Sequence, residues 1–195
     1  MGNDHWLKKT SFVKKDEYYT PRILVELIVP YVKPNSTVWC PFDTKNSEFV
    51  TCFTEHGFNV IYSHIWEGKS FFSYEPEEYD YIISNPPFSQ KLEVFNRLYE
   101  LGKPFAMICG LTILNYQVIG EFFLDKHLQL LIPDKKVSFD GNAASFNNSY
   151  FCNNMLPRDI IFTHVEHNNT GSSFVPSRMY EDVPELGVRR TKRIL

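Results

Sequence analysis

Residues 79–88, Tyr-Asp-Tyr-Ile-Ile-Ser-Asn-Pro-Pro-Phe, decide how the rest of the chain is read. The run Tyr79–Ser84 has the short apolar character of a buried strand, and Asn85-Pro86-Pro87-Phe88 breaks it sharply. Two consecutive prolines fix φ and stiffen the turn. The Asn85 side-chain oxygen and the Pro86 carbonyl can each accept one N–H of an exocyclic amino group. Phe88 supplies a flat face on which a base can stack, worth roughly 1–3 kcal/mol. The plainer reading of the same residues is a strand-ending turn, since Asn-Pro commonly opens turns.

Working outward, short apolar strands alternate with helices on both sides of this turn. Thr20 is expected to cap a helix that has Pro21 at its first position and Ile23, Leu24, Leu27 and Ile28 on its apolar face. Thr37–Cys40 reads as a strand ending at Pro41. Residues 46–56 read as a helix with Phe49, Val50 and Phe53 inward and Gly57 as its stop. Phe58–Tyr62 is a second strand, and a loop carrying Trp66, Gly68, Phe71 and Phe72 follows. Beyond the Pro-Pro turn, 90–102 is a helix, Phe105–Cys109 a strand and 115–125 a helix. Leu128–Ile132, Tyr150–Cys152 and Asp159–Val165 are late strands. This alternation predicts an α/β fold: a mostly parallel seven-stranded sheet with an antiparallel edge and helices on both faces. The expected organisation is an arm over 1–19, one domain over 20–167, and a polar tail over 168–195.

The bulk composition excludes several classes. With 43% hydrophobic and 22% charged residues the chain can build an ordinary core. A net charge of −3 gives no global basic field of the kind a constitutive DNA coater carries. Basic residues are instead concentrated at the two ends: Lys8, Lys9, Lys14 and Lys15, then Arg189, Arg190, Lys192 and Arg193. Either group can meet phosphate or simply be solvated. The four cysteines are scattered and no zinc spacing appears among them and the six histidines, so reduced thiols and no metal are expected. No apolar run is long enough to span a bilayer, and the start of the chain is not signal-like, so a cytoplasmic location is expected.

In open α/β sheets, ligands bind outside the carboxyl ends of the strands. Three such ends matter: Trp39-Cys40-Pro41-Phe42-Asp43, Tyr62-Ser63-His64, and Ser84-Asn85-Pro86-Pro87-Phe88. At this point the chain resembles the class I S-adenosylmethionine-dependent amino-methyltransferases, with their Rossmann-like fold, and most of all the small phage and prophage adenine-N6 methyltransferase-like proteins. The resemblance covers roughly residues 16–165. It implies that Tyr19, Thr20 and Pro21 line the methionine end of the cofactor. Cys40, Pro41, Phe42 and Asp43 would form the first cofactor loop, Ser63 and His64 the ribose side, and Ser70 and Phe71 the adenine side. Asn85, Pro86, Pro87 and Phe88 would be catalytic. The chain departs from the family at the first loop, which lacks glycine, at Cys40 and Ser70, where acids are usual, and at the end of the second strand, which lacks the ribose-binding acid.

The resemblance also implies that nucleic acid is the partner, DNA in preference to RNA. Phe139 or Phe146 would cover the second face of the target base, and Lys135 and Lys136 would contact phosphate. A separate target-recognition domain is not expected at this length, so the protein would read little sequence, borrow a partner protein or a homodimer for target recognition, or act on structured RNA. Two other readings stay open. One is a catalytically degenerate member of the fold that binds nucleic acid or protein. The other is a protein glutamine N5-methyltransferase, whose motif grips a side-chain amide in the same way.

Overall fold

The computed structural model describes residues 20–139 and 145–165, without the side chains of Phe88, Ser138, Ser145 and Phe146. Helix α1 (Arg22–Ile28) precedes strand β1 (Thr37–Cys40), followed by α2 (Glu48–Glu55), β2 (Asn59–Tyr62) and β3 (Tyr81–Ser84). Helix α3 (Lys91–Leu101), β4 (Phe105–Gly110), α4 (Gln117–Phe122) and β5 (Gln129–Pro133) complete the alternating part. A hairpin of β6 (Val137–Ser138) and β7 (Ser145–Phe146) leads to β8 (Asn148–Asn153) and β9 (Ile160–Thr163).

The main sheet has seven strands in the order β2-β1-β3-β4-β8-β5-β9. All run parallel except β8, which pairs antiparallel with both β4 and β5. The expected α/β architecture is therefore the one observed. The antiparallel strand lies within the late half of the sheet, with β5 and β9 outside it.

Side-chain alternation along the strands divides the core into two layers. Val38, Cys40, Tyr81, Ile83, Ala106, Ile108, Tyr150 and Cys152 pack beneath α1 and α2, against Leu24, Val25, Ile28, Phe49 and Phe53. Trp39, Ile82, Met107, Cys109 and Phe151 point the other way, against Val94, Phe95 and Leu98 of α3 and Ile119 of α4. Every residue of β3 is buried, as expected for a strand covered on both faces. Tyr150 locks the first layer to the sheet by donating its hydroxyl to the Leu24 carbonyl at 3.0 Å.

Local chemistry corrects two expectations. Pro21, not Thr20, occupies the position before α1, at φ −63° and ψ 139°. Proline's fixed φ makes that extended entry inexpensive, and its carbonyl accepts the Leu24 N–H. The cap of α2 is Ser47, whose hydroxyl accepts the Val50 N–H. The segment 115–125 is only a short α4 set between 3₁₀ turns Leu111–Asn115 and Phe123–Asp125. All four cysteines are buried free thiols. Among the described residues no helix is long and apolar enough to cross a membrane.

Candidate functional site

The chain runs outward from β1 to β2 and then returns past β1 to form β3. That reversal opens a crevice above the carboxyl ends of β1 and β3, the place where such sheets bind ligands. Asn85-Pro86-Pro87 leaves β3 there. Pro86 is buried, Pro87 is extended at φ −59° and ψ 138°, and a 3₁₀ turn over Phe88–Gln90 feeds directly into α3. The turn is thus clamped between a fully buried strand and a helix. The Asn85 side-chain oxygen is itself buried. It is not open to an incoming group, and a target amino group reaches it only after the amide turns or its cover lifts. The Phe88 ring lies outside the described part of the structure.

Asp43, from the loop after β1, ties the two strand ends together. The Ser84 hydroxyl donates to its Oδ2 at 2.5 Å, and the Ser47 hydroxyl also donates to this carboxylate. Asp43 is 7% exposed, and burial pushes its carboxyl up to about 6 despite the two donors. No ion pair to Asp43 exists among the described residues. A buried carboxylate with hydroxyl partners but no cation suits a cationic ligand, which supplies the missing charge. The adjacent Cys40 is not such a partner. Its thiol lies in the α1/α2 layer, and burial, with a smaller contribution from Asp43, holds it well above the ordinary thiol range.

The other residues expected at the cofactor are largely absorbed by the protein itself. Ser63 accepts the Trp39 indole N–H at 2.9 Å, wholly inside the core. His64 is buried and accepts the Trp66 backbone N–H through Nδ1 at 3.2 Å. Burial lowers its pKa, so the ring favours the neutral form. Ser70 accepts the Phe72 N–H at 3.3 Å. Phe71 is a correction: at 2% exposure it is a core ring, 5.4 Å from Trp39 and 5.0 Å from the half-buried Phe42, with the Arg97 guanidinium 5.5 Å over its face. The exposed rings of this loop are Phe72 and Trp66, at 39% and 56%. Thr20 is buried beside α1, and Tyr19 lies outside the described residues.

The late segment is also rearranged. Phe139 is buried in the α1/α2 layer and is not available as a clamp. The Phe146 side chain and the two terminal basic groups lie outside the described part. Lys135 and Lys136 follow the carboxyl end of β5, on the same edge of the sheet as Asn85, and Lys136 is exposed. Sequence reasoning missed Asn148 and Ser149. They begin β8 opposite Gly110 and Cys109, again on this edge. Both are buried, and neither the Asn148 amide nor the Ser149 hydroxyl has a hydrogen-bond partner among the described residues. Buried polar groups left this way cost about 1–3 kcal/mol each and ask for an explanation such as a ligand or water. A separate groove of about 620 Å³, lined by Tyr31, His127, Met155 and Pro157, opens at the amino end of β5, away from Asn85.

No protein-family model matches the chain, and no curated protein matches it. Among solved structures, it is similar to the methyltransferase subunit of a type I restriction-modification system from Streptococcus thermophilus. That match has a TM-score of 0.47 and 10% identity, and covers 82% of this chain and 50% of the other. It is also similar to a modification subunit assigned to a type I restriction enzyme from Vibrio vulnificus, with a TM-score of 0.44 and 14% identity, covering 90% of this chain and 54% of the other. The chain spans about half the length of these solved structures.

Proposed function

We propose that the protein is an S-adenosylmethionine-dependent methyltransferase that modifies the exocyclic N6 amino group of adenine in nucleic acid, with DNA as the favoured substrate. The observation that carries this reading is the Asn85-Pro86-Pro87 turn at the switch point, coupled through Ser84 to the buried carboxylate of Asp43, which has no ion pair among the described residues. A methionine ammonium suits Asp43, and the exposed rings of Phe72 and Trp66 suit a purine. The cofactor, when bound, supplies an electrophilic methyl group.

The adenine amino nitrogen is a poor nucleophile because its lone pair is delocalised into the ring. The Asn85 side-chain oxygen and the Pro86 carbonyl accept its two N–H groups, favour a more tetrahedral nitrogen and stabilise the positive charge that grows there. The rigid turn contributes mainly by holding the nitrogen in line, an effect of position rather than of acid or base strength. A duplex target must first swing out of the stack, which costs a few kcal/mol. The buried amide of Asn148 offers a donor and an acceptor on the same edge of the sheet for reading the extruded base. Lys135 and Lys136 supply positive charge for phosphate.

A second reading has one specific observation in its favour. Ser63, Ser70 and Phe71 all spend their binding capacity inside the protein, as in a fold that has given up catalysis and kept a binding role. The test is transfer of a labelled methyl group from S-adenosylmethionine to adenine-containing DNA and RNA, with Asn85→Ala as control. Label in N6-methyladenine that disappears in the variant supports the enzyme. Cofactor binding without transfer to any nucleic acid would remove adenine as the substrate.

A further inference from the structure

Helices α1 and α2 bring three different ligand types together on the face of the sheet away from the strand-end crevice. Cys52 and His56 stand four residues apart on α2 and its cap, so they share one side of that helix. Glu26 comes across from α1. The Cys52 sulfur, a His56 ring nitrogen and a Glu26 carboxylate oxygen all lie within 4.8 Å of one another. His56 Nε2 is 2.8 Å from Glu26 Oε2, and the Cys52 thiol is hydrogen-bonded to the same carboxylate. Cys52 is buried, Glu26 half-buried and His56 exposed, so the cluster opens to solvent on one side only.

We infer that Glu26, Cys52 and His56 form a binding site for a zinc-like divalent cation that fastens α1 to α2, with its fourth position open to water. A thiolate, an imidazole and a carboxylate together suit zinc, whereas calcium and magnesium prefer oxygen-only sets. Tetrahedral bonding needs the Glu26 and His56 ligand atoms about 3.3 Å apart, a small opening of the present contact. Arg22 does not occupy the position of the ion. Its Nε holds Glu26 Oε1 at 3.0 Å while Nη2 reaches Glu55 at 2.6 Å. Oε2 is thereby left toward Cys52 and His56, and the guanidinium fixes the carboxylate from outside, as partners of metal ligands commonly do. Its positive charge opposes the cation, and the acquired thiolate charge offsets that opposition. Spacing along the sequence gives no zinc signal; the three ligands meet only once α1 is packed on α2.

The full chain, stripped of metal, is titrated with Co²⁺ and then with Zn²⁺. The expected result is one Co²⁺ per chain with a sulfur-to-metal charge-transfer band and the strong visible bands of tetrahedral cobalt, displaced by Zn²⁺. Zn²⁺ also raises the melting temperature. Cys52→Ser removes the charge-transfer band. His56→Asn, at an exposed position that leaves the fold intact, weakens Zn²⁺ binding by at least about tenfold. Absence of the charge-transfer band in the wild-type chain would overturn the inference. So would Zn²⁺ binding of equal strength in His56→Asn, a result that stands even if Cys52→Ser fails to fold.

Discussion

Replacing Asp43 with asparagine separates what this residue costs the fold from what it gives the site. Burial raises its carboxyl from 3.8 to about 6 in the folded protein. A carboxyl whose folded pKa lies above its unfolded value destabilises the fold when ionised. That penalty is absent below the unfolded value, grows between pH 4 and 6, and is complete above the folded value. At about 1.4 kcal/mol per tenfold in acidity, ionised Asp43 costs the ligand-free protein about 3 kcal/mol at pH 7. Asp43→Asn keeps an oxygen that can accept from Ser84 and removes the charge. It should raise ligand-free stability at pH 7 by up to about 3 kcal/mol, and so the melting temperature by several degrees. The same change should abolish S-adenosylmethionine binding. In the wild-type chain, affinity should fall about tenfold from pH 7 to pH 5, as the ionised fraction drops from about nine-tenths to about one-tenth. Melting curves and calorimetric titrations of both proteins at the two pH values provide the assay. A variant less stable than wild type at pH 7, or one that binds the cofactor with unchanged affinity, would refute the reasoning.

Asn85→Ala should leave cofactor affinity intact while lowering methyl transfer about 10²–10³-fold, measured by single-turnover labelling, because only developing charge on the amino nitrogen loses its partner. Tyr150→Phe removes the hydroxyl that reaches the Leu24 carbonyl at 3.0 Å and leaves a buried acceptor. It should cost about 1–2 kcal/mol in urea unfolding with an unchanged slope. Asn148→Val discards two buried polar atoms that have no partner among the described residues and places a strand-favouring side chain in β8. Urea unfolding should show ligand-free stability higher by about 1 kcal/mol, with weaker binding of adenine-containing oligonucleotides.

Much of the scaffold was legible because its signals are local. A near-continuous apolar run closed by Pro-Pro marked β3 and its turn. Period-3.6 apolar faces, with Gly57 as the stop of the first, marked α2 and α3. The hairpin β6–β7 was not legible, since strands of two residues have no period to read. At the site, the motif Asn85–Phe88 was legible as a motif, but the use of its neighbours was not. Asp43 and Ser84 are 41 residues apart, and only the β1–β3 pairing places one hydroxyl on the other's carboxylate. The same holds for Ser63, which answers the Trp39 indole across the β1–β2 pair. Phe71 was assigned to a ligand because its loop resembles one. Its burial depends on Trp39, Phe42 and Arg97, three residues that sequence proximity does not connect to it. Asn148 and Ser149 gave no signal because unpartnered burial is visible only in three dimensions.

The central claim is that the glycine-free loop after β1 still holds a sulfonium cofactor beside Asp43. Calorimetric titration of the purified chain with S-adenosylmethionine, repeated with S-adenosylhomocysteine, tests it most directly. One site per chain with a micromolar dissociation constant, about −8 kcal/mol, is the expected result. Absence of binding heat with either compound at pH 7, from a chain whose melting curve shows it folded, would contradict the claim and favour the binding-only reading.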